Sequence, residues 1–134
     1  PLAKCSYGPY SRAMIHICKE ESFHLKQGFE IVTTLAKGTS AQKKMVQESV
    51  NRWWWPVLMM FGPSDKESPN SEELMRWQVK LHSNDSLRQR FVNGSVAQAK
   101  AVELTLPDPE FRYNEETGNW DFGFIDCHEF WPVI

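Results

Sequence analysis

One short pattern in the sequence combines two residue types that bind metal ions. Glu21 and His24 are separated by Ser22 and Phe23, a Glu-x-x-His spacing. On a helix this spacing places both side chains on one face, one turn apart, so that both can reach one metal ion. Carboxylate-bridged di-iron bundles use such pairs together with lone carboxylates from other helices. The pattern predicts one half of a two-iron site; an exposed charged patch is the alternative interpretation.

The position of this pair within its helix favours metal binding. The apolar residues between Met14 and Leu35 form a helical stripe, and the stripe runs over Glu21, His24 and Gly28. Such a stripe faces the interior of a bundle, where a carboxylate must be protonated, paired or bound to metal. Gly28 leaves space beside the pair, at a cost of about 1 kcal/mol in helix propensity.

A second set of polar residues has the spacing of a helix face. Arg76, Lys80 and Asn84 recur at every fourth position, which predicts a basic surface on a third helix. Such a surface can hold phosphate groups. The alternative is a solvated face in which Asn84 serves only as the N-cap of the next helix.

Apolar periodicity and breaker residues divide the chain into helices and a hairpin. Pro9 suits the first turn of a helix, Ser71 is predicted to cap a third helix, and the Pro107 and Pro109 pair forbids further helix. Aromatic residues alternating on both sides of a Glu-Thr-Gly-Asn turn are typical of a β-hairpin. The fold class is therefore mainly α, part of a helical bundle, with helices at about 9–37, 40–61, 71–82 and 85–104 and a hairpin at about 111–124.

Composition argues against several functional classes. The net charge of -2 gives no electrostatic reason to expect nucleic acid or an anionic membrane as a partner. No apolar run has the length of a membrane-spanning helix. The three cysteines include no CxxC pair, which argues against a disulfide framework and a zinc ribbon. Reduced thiols and a cytoplasmic location are the expectation.

Two further features predict that more protein surrounds this chain. Successive helical residues point about 100° apart, so the indoles of Trp53–Trp55 cover most of a helix circumference and need enclosure by a larger bundle or a partner. The chain opens with Pro1 and ends on the apolar run 131–134, whereas natural termini are usually polar. Both ends are expected to be cuts in a longer protein.

Several longer blocks resemble one family, the catalytic A subunits of the bacterial ring-1,2-phenylacetyl-CoA epoxidases. The resemblance extends over nearly the whole chain. The blocks that carry it are Ser6–Tyr10, Ile17–His24, Asn51–Pro56, Leu58–Pro63, Ser68–Ser71, Leu87–Val92 and Val102–Pro109.

This resemblance implies that residues 1–134 are the C-terminal portion of a single ferritin-like domain in a multicomponent mono-oxygenase. Members of the family use two non-haem iron ions and O₂ to epoxidise the ring of phenylacetyl-CoA in aerobic phenylacetate catabolism. Electrons come from NADPH through the FAD and iron–sulfur cluster of a partner reductase, and a non-catalytic companion subunit docks alongside. Glu21 and His24 match the family's second Glu-x-x-His, and the resemblance gives them its metal-ligand and catalytic roles. Lys80 and Asn84 are the residues expected to bind the CoA part of the substrate.

The sequence departs from the family pattern in ways that affect activity. The family's first Glu-x-x-His and its two lone carboxylates would precede Pro1, and Cys127-His128 stands where Trp and a polar residue are usual. Two ligands on one helix hold two irons poorly, so this chain alone is expected to be inactive. The alternative function is a metal-free helical interaction module or acyl-CoA-binding module that keeps the fold without the oxygenase chemistry.

Overall fold

The computed structural model describes residues 2–129, except for the side chain of His128. Within this range the prediction of a mainly helical chain with one small hairpin is confirmed. The elements in chain order are α1 (Gly8–Ala36), α2 (Ser40–Met59), α3 (Ser71–Arg76), α4 (Asn84–Ala101), β1 (Arg112–Asn114) and β2 (Asn119–Asp121), with 3-10 turns at Leu2–Lys4 and Cys127–Glu129.

The starts of the long helices follow from local sequence chemistry. α1 carries Pro9 in its first turn, where a missing N–H costs nothing. α2 opens with a capping box, in which Thr39 Oγ1 accepts from the Gln42 N–H at 3.3 Å and Gln42 Oε1 accepts from the Thr39 N–H at 2.8 Å. At the start of α4, Ser83 is the N-cap and its Oγ accepts from the Ser86 N–H at 3.2 Å.

The third helix is shorter than the sequence predicted, because it ends at Arg76 instead of near residue 82. Gln78 adopts a left-handed backbone conformation with φ of 56°. The Val79 N–H bonds to the Leu74 carbonyl and the Gln78 N–H bonds to the Met75 carbonyl, each at 3.0 Å. These two bonds form a Schellman motif, which closes a helix C-terminus.

The same motif ends α4 at Ala101 rather than near residue 104. Glu103 has φ of 54°, its N–H bonds to the Lys100 carbonyl at 3.3 Å, and the Leu104 N–H bonds to the Ala99 carbonyl at 2.9 Å. Glycine usually takes the left-handed position of this motif, and neither site has one. The sequence therefore carried no signal for either helix end.

Two apolar clusters form the core. One lies at the corner between α1 and α2, where both helices meet the end of α4, and it is built from Ala36, Val46, Ala99, Val102 and Leu104. The other joins α2 and α4 to the hairpin segment and contains Trp54, Leu58, Val92 and Val96, with aromatic side chains of the hairpin segment packed against it. The hairpin pairs antiparallel, with Tyr113 opposite Trp120.

Helix α1 is held at its two ends and is open between them. Near its start, the Ser6 N–H and Oγ donate to the carbonyls of Gln78 at 2.9 Å and Trp77 at 2.7 Å. At its other end, Ala36 is buried in the corner cluster. Every residue from 15 to 32 is exposed. The apolar stripe predicted for this helix is therefore uncovered by the described residues.

The three consecutive tryptophans have three different environments. Trp54 is buried in the core, Trp55 is half-buried, and Trp53 is 48% exposed beneath the guanidinium of Arg52. The described chain thus encloses only part of the Trp-rich helix. None of its helices combines the length and the apolar character needed to cross a membrane.

Candidate metal centre

Glu21 and His24 lie side by side near the middle of α1. Glu21 Oε1 and His24 Nδ1 are 3.6 Å apart, and the two side chains are 67% and 63% exposed. A Cβ atom added at Gly28, one turn further along, would meet nothing within 4 Å. The pair is therefore open to a ligand or to further protein along the uncovered apolar stripe.

The donor set of this pair suits half of a carboxylate-bridged iron site. One carboxylate supplies negative charge and bridging oxygens, and one imidazole supplies a nitrogen ligand. Within residues 2–129, however, no three His, Cys, Asp or Glu side chains are grouped closely enough to hold a metal ion. The described part of the chain therefore offers a pair of candidate donors, and a complete metal site would need further ligands from elsewhere.

The helix face predicted from Arg76, Lys80 and Asn84 is wrong. Arg76 is the last residue of α3, Lys80 lies in the connection after it, and Asn84 is the first residue of α4. Asn84 is also not the N-cap, since Ser83 takes that position. The Schellman motif at Gln78 separates the residues that a continuous helix would have aligned.

Lys80 and Asn84 nevertheless meet. Lys80 Nζ donates a hydrogen bond to Asn84 Oδ1. Lys80 also lines a pocket of about 440 Å³ between the beginning of α1 and the connection before α4. The other walls of this pocket are mostly apolar or aromatic and comprise Leu2, Cys5, Tyr7, Tyr10, Val79, Leu81, His82 and Leu87. The pocket is therefore mostly apolar, and it includes one lysine side chain among its lining residues.

A buried arginine organises the region beside this pocket, and sequence reasoning missed it. The Arg88 side chain is 5% exposed and pairs with Asp85, with 2.7 Å between Nη1 and Oδ1. Its other nitrogens donate to the carbonyls of Leu58 and Gly62 at the end of α2. The Asp85–Arg88 spacing along a helix was the available signal.

Asp65 links this arginine cluster to the start of α4. Its N–H donates to Asp85 Oδ2 at 3.0 Å, and its own Oδ1 accepts from the Asn84 N–H at 2.9 Å. Partial burial disfavours the ionised carboxylate, but hydrogen bonds from the Ser83 side chain and from the backbone of Asn84 and Asp85 outweigh it. The net result is that the pKa of Asp65 is lowered.

A wider cavity, of about 700 Å³, lies between the loop after α2, helix α4 and the residues that follow β2. Asp85 and Arg88 line it, but they are paired with each other, and Glu67 accepts a hydrogen bond from Ser64 at 3.0 Å. Nearby, burial raises the pKa of the Cys127 thiol, and the charges of Asp126 and Glu67 add to the increase while Arg88 opposes it. These groups are occupied with one another and do not form an evident ligand site.

Comparison with known proteins identifies the family. A family described as "Phenylacetic acid catabolic protein" matches residues 1–128, almost all of the chain. The chain belongs to this family. The membership confirms the family that the sequence blocks indicated. The helical fold with its small hairpin accords with the ferritin-like fold expected of a phenylacetic acid catabolic protein.

One curated relative is the A-subunit of the 1,2-phenylacetyl-CoA epoxidase from Escherichia coli strain K12. It is 53% identical over 133 residues, which cover 99% of this chain and 43% of the relative. The chain therefore spans less than half the length of the relative that it matches. The family resemblance is strong, but it concerns one part of a longer relative.

Proposed function

We propose that the chain is part of the catalytic subunit of a di-iron mono-oxygenase that epoxidises the ring of phenylacetyl-CoA with O₂ in phenylacetate catabolism. On this proposal, residues 1–134 are the C-terminal portion of a single ferritin-like domain. The observation that carries the proposal is the Glu21–His24 pair, 3.6 Å apart on an open apolar stripe. Family membership and 53% identity to an epoxidase subunit support it.

Glu21 and His24 would hold one iron of the pair. The carboxylate of Glu21 would supply negative charge and oxygen ligands, and the imidazole of His24 would supply a nitrogen ligand. When bound, the iron would supply the activation of O₂. The apolar stripe on both sides of the pair would exclude water once further protein covers it, and the free space at Gly28 leaves room for substrate beside the ligands.

Lys80 and its pocket would bind the CoA part of the substrate. A mostly apolar pocket with a lysine among its lining residues suits a ligand that combines a flexible arm with anionic groups, as a CoA thioester does. The pocket includes Tyr10, and the rise along α1 from Tyr10 to Glu21 is about 16 Å at 1.5 Å per residue. An elongated substrate is required if one molecule is to reach both places.

The partners follow from the same proposal. A non-catalytic companion subunit would dock beside this one, and a separate reductase carrying FAD and an iron–sulfur cluster would deliver electrons from NADPH. The relative is named as one lettered subunit of its enzyme, which implies an assembly of several chains. The exposed Trp53 and Phe23 fit burial within such an assembly. We propose the cytoplasm as its location.

The test is turnover by the full-length protein combined with its reductase and its companion subunit. We expect NADPH-dependent O₂ consumption and an epoxide product from phenylacetyl-CoA. Lys80→Ala should raise KM for the CoA ester about tenfold while kcat changes less, because Lys80 binds a part of the substrate far from the reacting ring. Lys66→Ala, which removes an exposed lysine outside this pocket, is the matched control. No product from the complete assembly would contradict the proposal, and an unchanged KM would remove Lys80 from it.

A further inference from the structure

The side of α1 that points away from the metal pair carries a row of cations. Arg12, Lys19 and Lys26 follow one another at intervals of seven residues, which is almost two helical turns. At about 100° per residue, Lys19 and Lys26 point roughly 170° away from the mean direction of Glu21 and His24. All three cations are exposed. The row therefore lies on the opposite side of the helix from the apolar stripe, where further helices of the bundle are not needed to cover it.

One large aromatic side chain interrupts this polar side of the helix. Phe23 is 66% exposed. It follows Lys19 by four residues and precedes Lys26 by three, so it is a surface neighbour of both. A layer that covered the apolar stripe would leave Phe23 exposed, because its side chain points to the other side of the helix. An exposed aromatic ring among charged side chains is typical of a contact site for another protein.

Phe23 also connects this surface to the metal pair. It directly precedes His24, and the two rings meet edge to face, with 6.3 Å between their centroids and 63° between their planes. A helix with its side chains is about 10–12 Å across, so a protein bound over Phe23 would be about one helix diameter from the metal pair. A partner that delivers electrons must come this close, because electron tunnelling weakens steeply with distance.

We propose that Arg12, Lys19, Phe23 and Lys26 form a docking surface for the electron-donating reductase, which would present acidic side chains around its iron–sulfur cluster. This inference rests on the proposed function, in which the Glu21–His24 pair holds iron and NADPH supplies the electrons. NADPH yields two electrons and the cluster carries one at a time, so two single electrons cross this surface in each turnover. At each step the cluster is oxidised and the iron is reduced. With two protons, these electrons convert one oxygen atom of O₂ to water while the other enters the epoxide.

The charges of this docking surface favour an acidic partner that binds transiently. Within the described residues, Lys19 takes part in no ion pair. Lys26 Nζ lies 3.9 Å from Glu30 Oε1 in a highly exposed pair, which contributes little to stability and can be exchanged for a carboxylate of the partner. Exposed cations steer acidic proteins and raise their association rates. Electron-transfer complexes have small interfaces, so a few cations around one aromatic ring suit such a complex.

Direct binding of the oxidised reductase to the full-length protein tests the docking surface without turnover. Lys19→Glu and Lys26→Glu should each weaken binding about fivefold at low salt, and most of this loss should disappear at about 0.5 M salt. Phe23→Ala should weaken binding about tenfold at either salt, because burial of an apolar ring is not screened. Lys44→Glu should leave binding unchanged and is the matched control, since Lys44 pairs with Glu48 on α2 in the same exposed geometry.

Chemical reduction separates this inference from the proposed function. Dithionite needs no docking surface, so Lys19→Glu and Lys26→Glu should form as much epoxide as wild type in a single dithionite-driven turnover while KM for the reductase rises. Unchanged reductase binding in both lysine variants, or an equal loss in Lys44→Glu, would overturn the inference. Weaker binding of the companion subunit with unchanged reductase binding would also overturn it. If wild type reduced with dithionite forms no epoxide, the proposed function fails instead.

Discussion

At the scale of single residues, some polar side chains are exposed and available to a ligand, whereas others are held in hydrogen bonds within the protein. Glu21 and His24 are largely exposed and adjacent, so they are available to a metal ion. Arg88 donates to Asp85 and to the Gly62 carbonyl, and Asp85 also accepts from the Asp65 N–H. Such satisfied groups stabilise the fold, whereas free groups on an apolar face are candidates for function.

The lowered pKa of Asp65 predicts a loss of stability in acid. A carboxylate with a folded pKa below its unfolded value stabilises the fold above the unfolded value of about 3.9, and this contribution is lost as the pH falls through the folded pKa. Asp65→Asn should therefore lower the free energy of unfolding at pH 7, and the difference from wild type should shrink toward pH 3. Urea unfolding at a series of pH values measures both curves. Parallel curves would show that Asp65 does not contribute in this way.

At the scale of elements, the helix starts could be predicted and two of the helix ends could not. Pro9, Thr39 and Ser83 carry side-chain or backbone chemistry that marks a start within a few residues of sequence. The ends of α3 and α4 depend on Gln78 and Glu103 in left-handed conformations, for which glycine is the usual sign. In α3 the unwound segment is also held by Ser6, more than seventy residues away in sequence, and no local pattern reveals that.

The contacts of the candidate site could likewise be predicted from the sequence only where they are local. The Glu21–His24 contact followed from helix periodicity alone, so the pair could be predicted. The Lys80–Asn84 contact was expected on a continuous helix and arises instead across a turn. Asp65 meets Asn84 and Asp85 about twenty residues further along the chain, through a loop whose path is set by tertiary packing.

The left-handed residue at the end of α3 predicts a stabilising substitution. A non-glycine residue in this conformation costs roughly 1–2 kcal/mol, which glycine relieves at some cost in unfolded-state entropy. Gln78→Gly should therefore raise the free energy of unfolding by about 0.5–1 kcal/mol. Gln98→Gly, in the interior of α4, should lower it by about 1 kcal/mol and is the control. Thermal or urea unfolding measures both, and a destabilised Gln78→Gly variant would contradict the Schellman interpretation.

At the scale of the whole molecule, one long helix lacks a covering layer. The exposed span of α1, residues 15–32, carries apolar side chains and the candidate metal ligands together. Most helical stability in proteins comes from tertiary packing of an apolar face, and the described residues do not supply that packing to this span. The arrangement suits a helix that completes its packing, and the metal site proposed at Glu21 and His24, against further protein.

Hydrogen exchange can test this view of α1. In the 134-residue chain alone, amides in the middle of α1 should exchange rapidly, because few tertiary contacts protect them. In the full-length protein the same amides should exchange at least about a hundredfold more slowly, if packing adds about 3 kcal/mol of local stability. Amides around the fully buried Val92 in α4 should be protected in both and serve as the control. Equal protection of α1 in the two proteins would mean that the helix needs no covering layer.

The most direct test of the central claim is the iron content of the full-length protein and its variants. We expect about two iron ions per chain in the wild type, with Glu21→Ala and His24→Ala both losing iron while circular dichroism still reports a folded helical protein. Glu20→Ala, which changes a neighbouring exposed carboxylate outside the stripe, should keep the wild-type content. Full iron occupancy in the Glu21 and His24 variants would contradict the ligand assignment. A wild type without iron would favour the metal-free module that binds acyl-CoA or a protein partner.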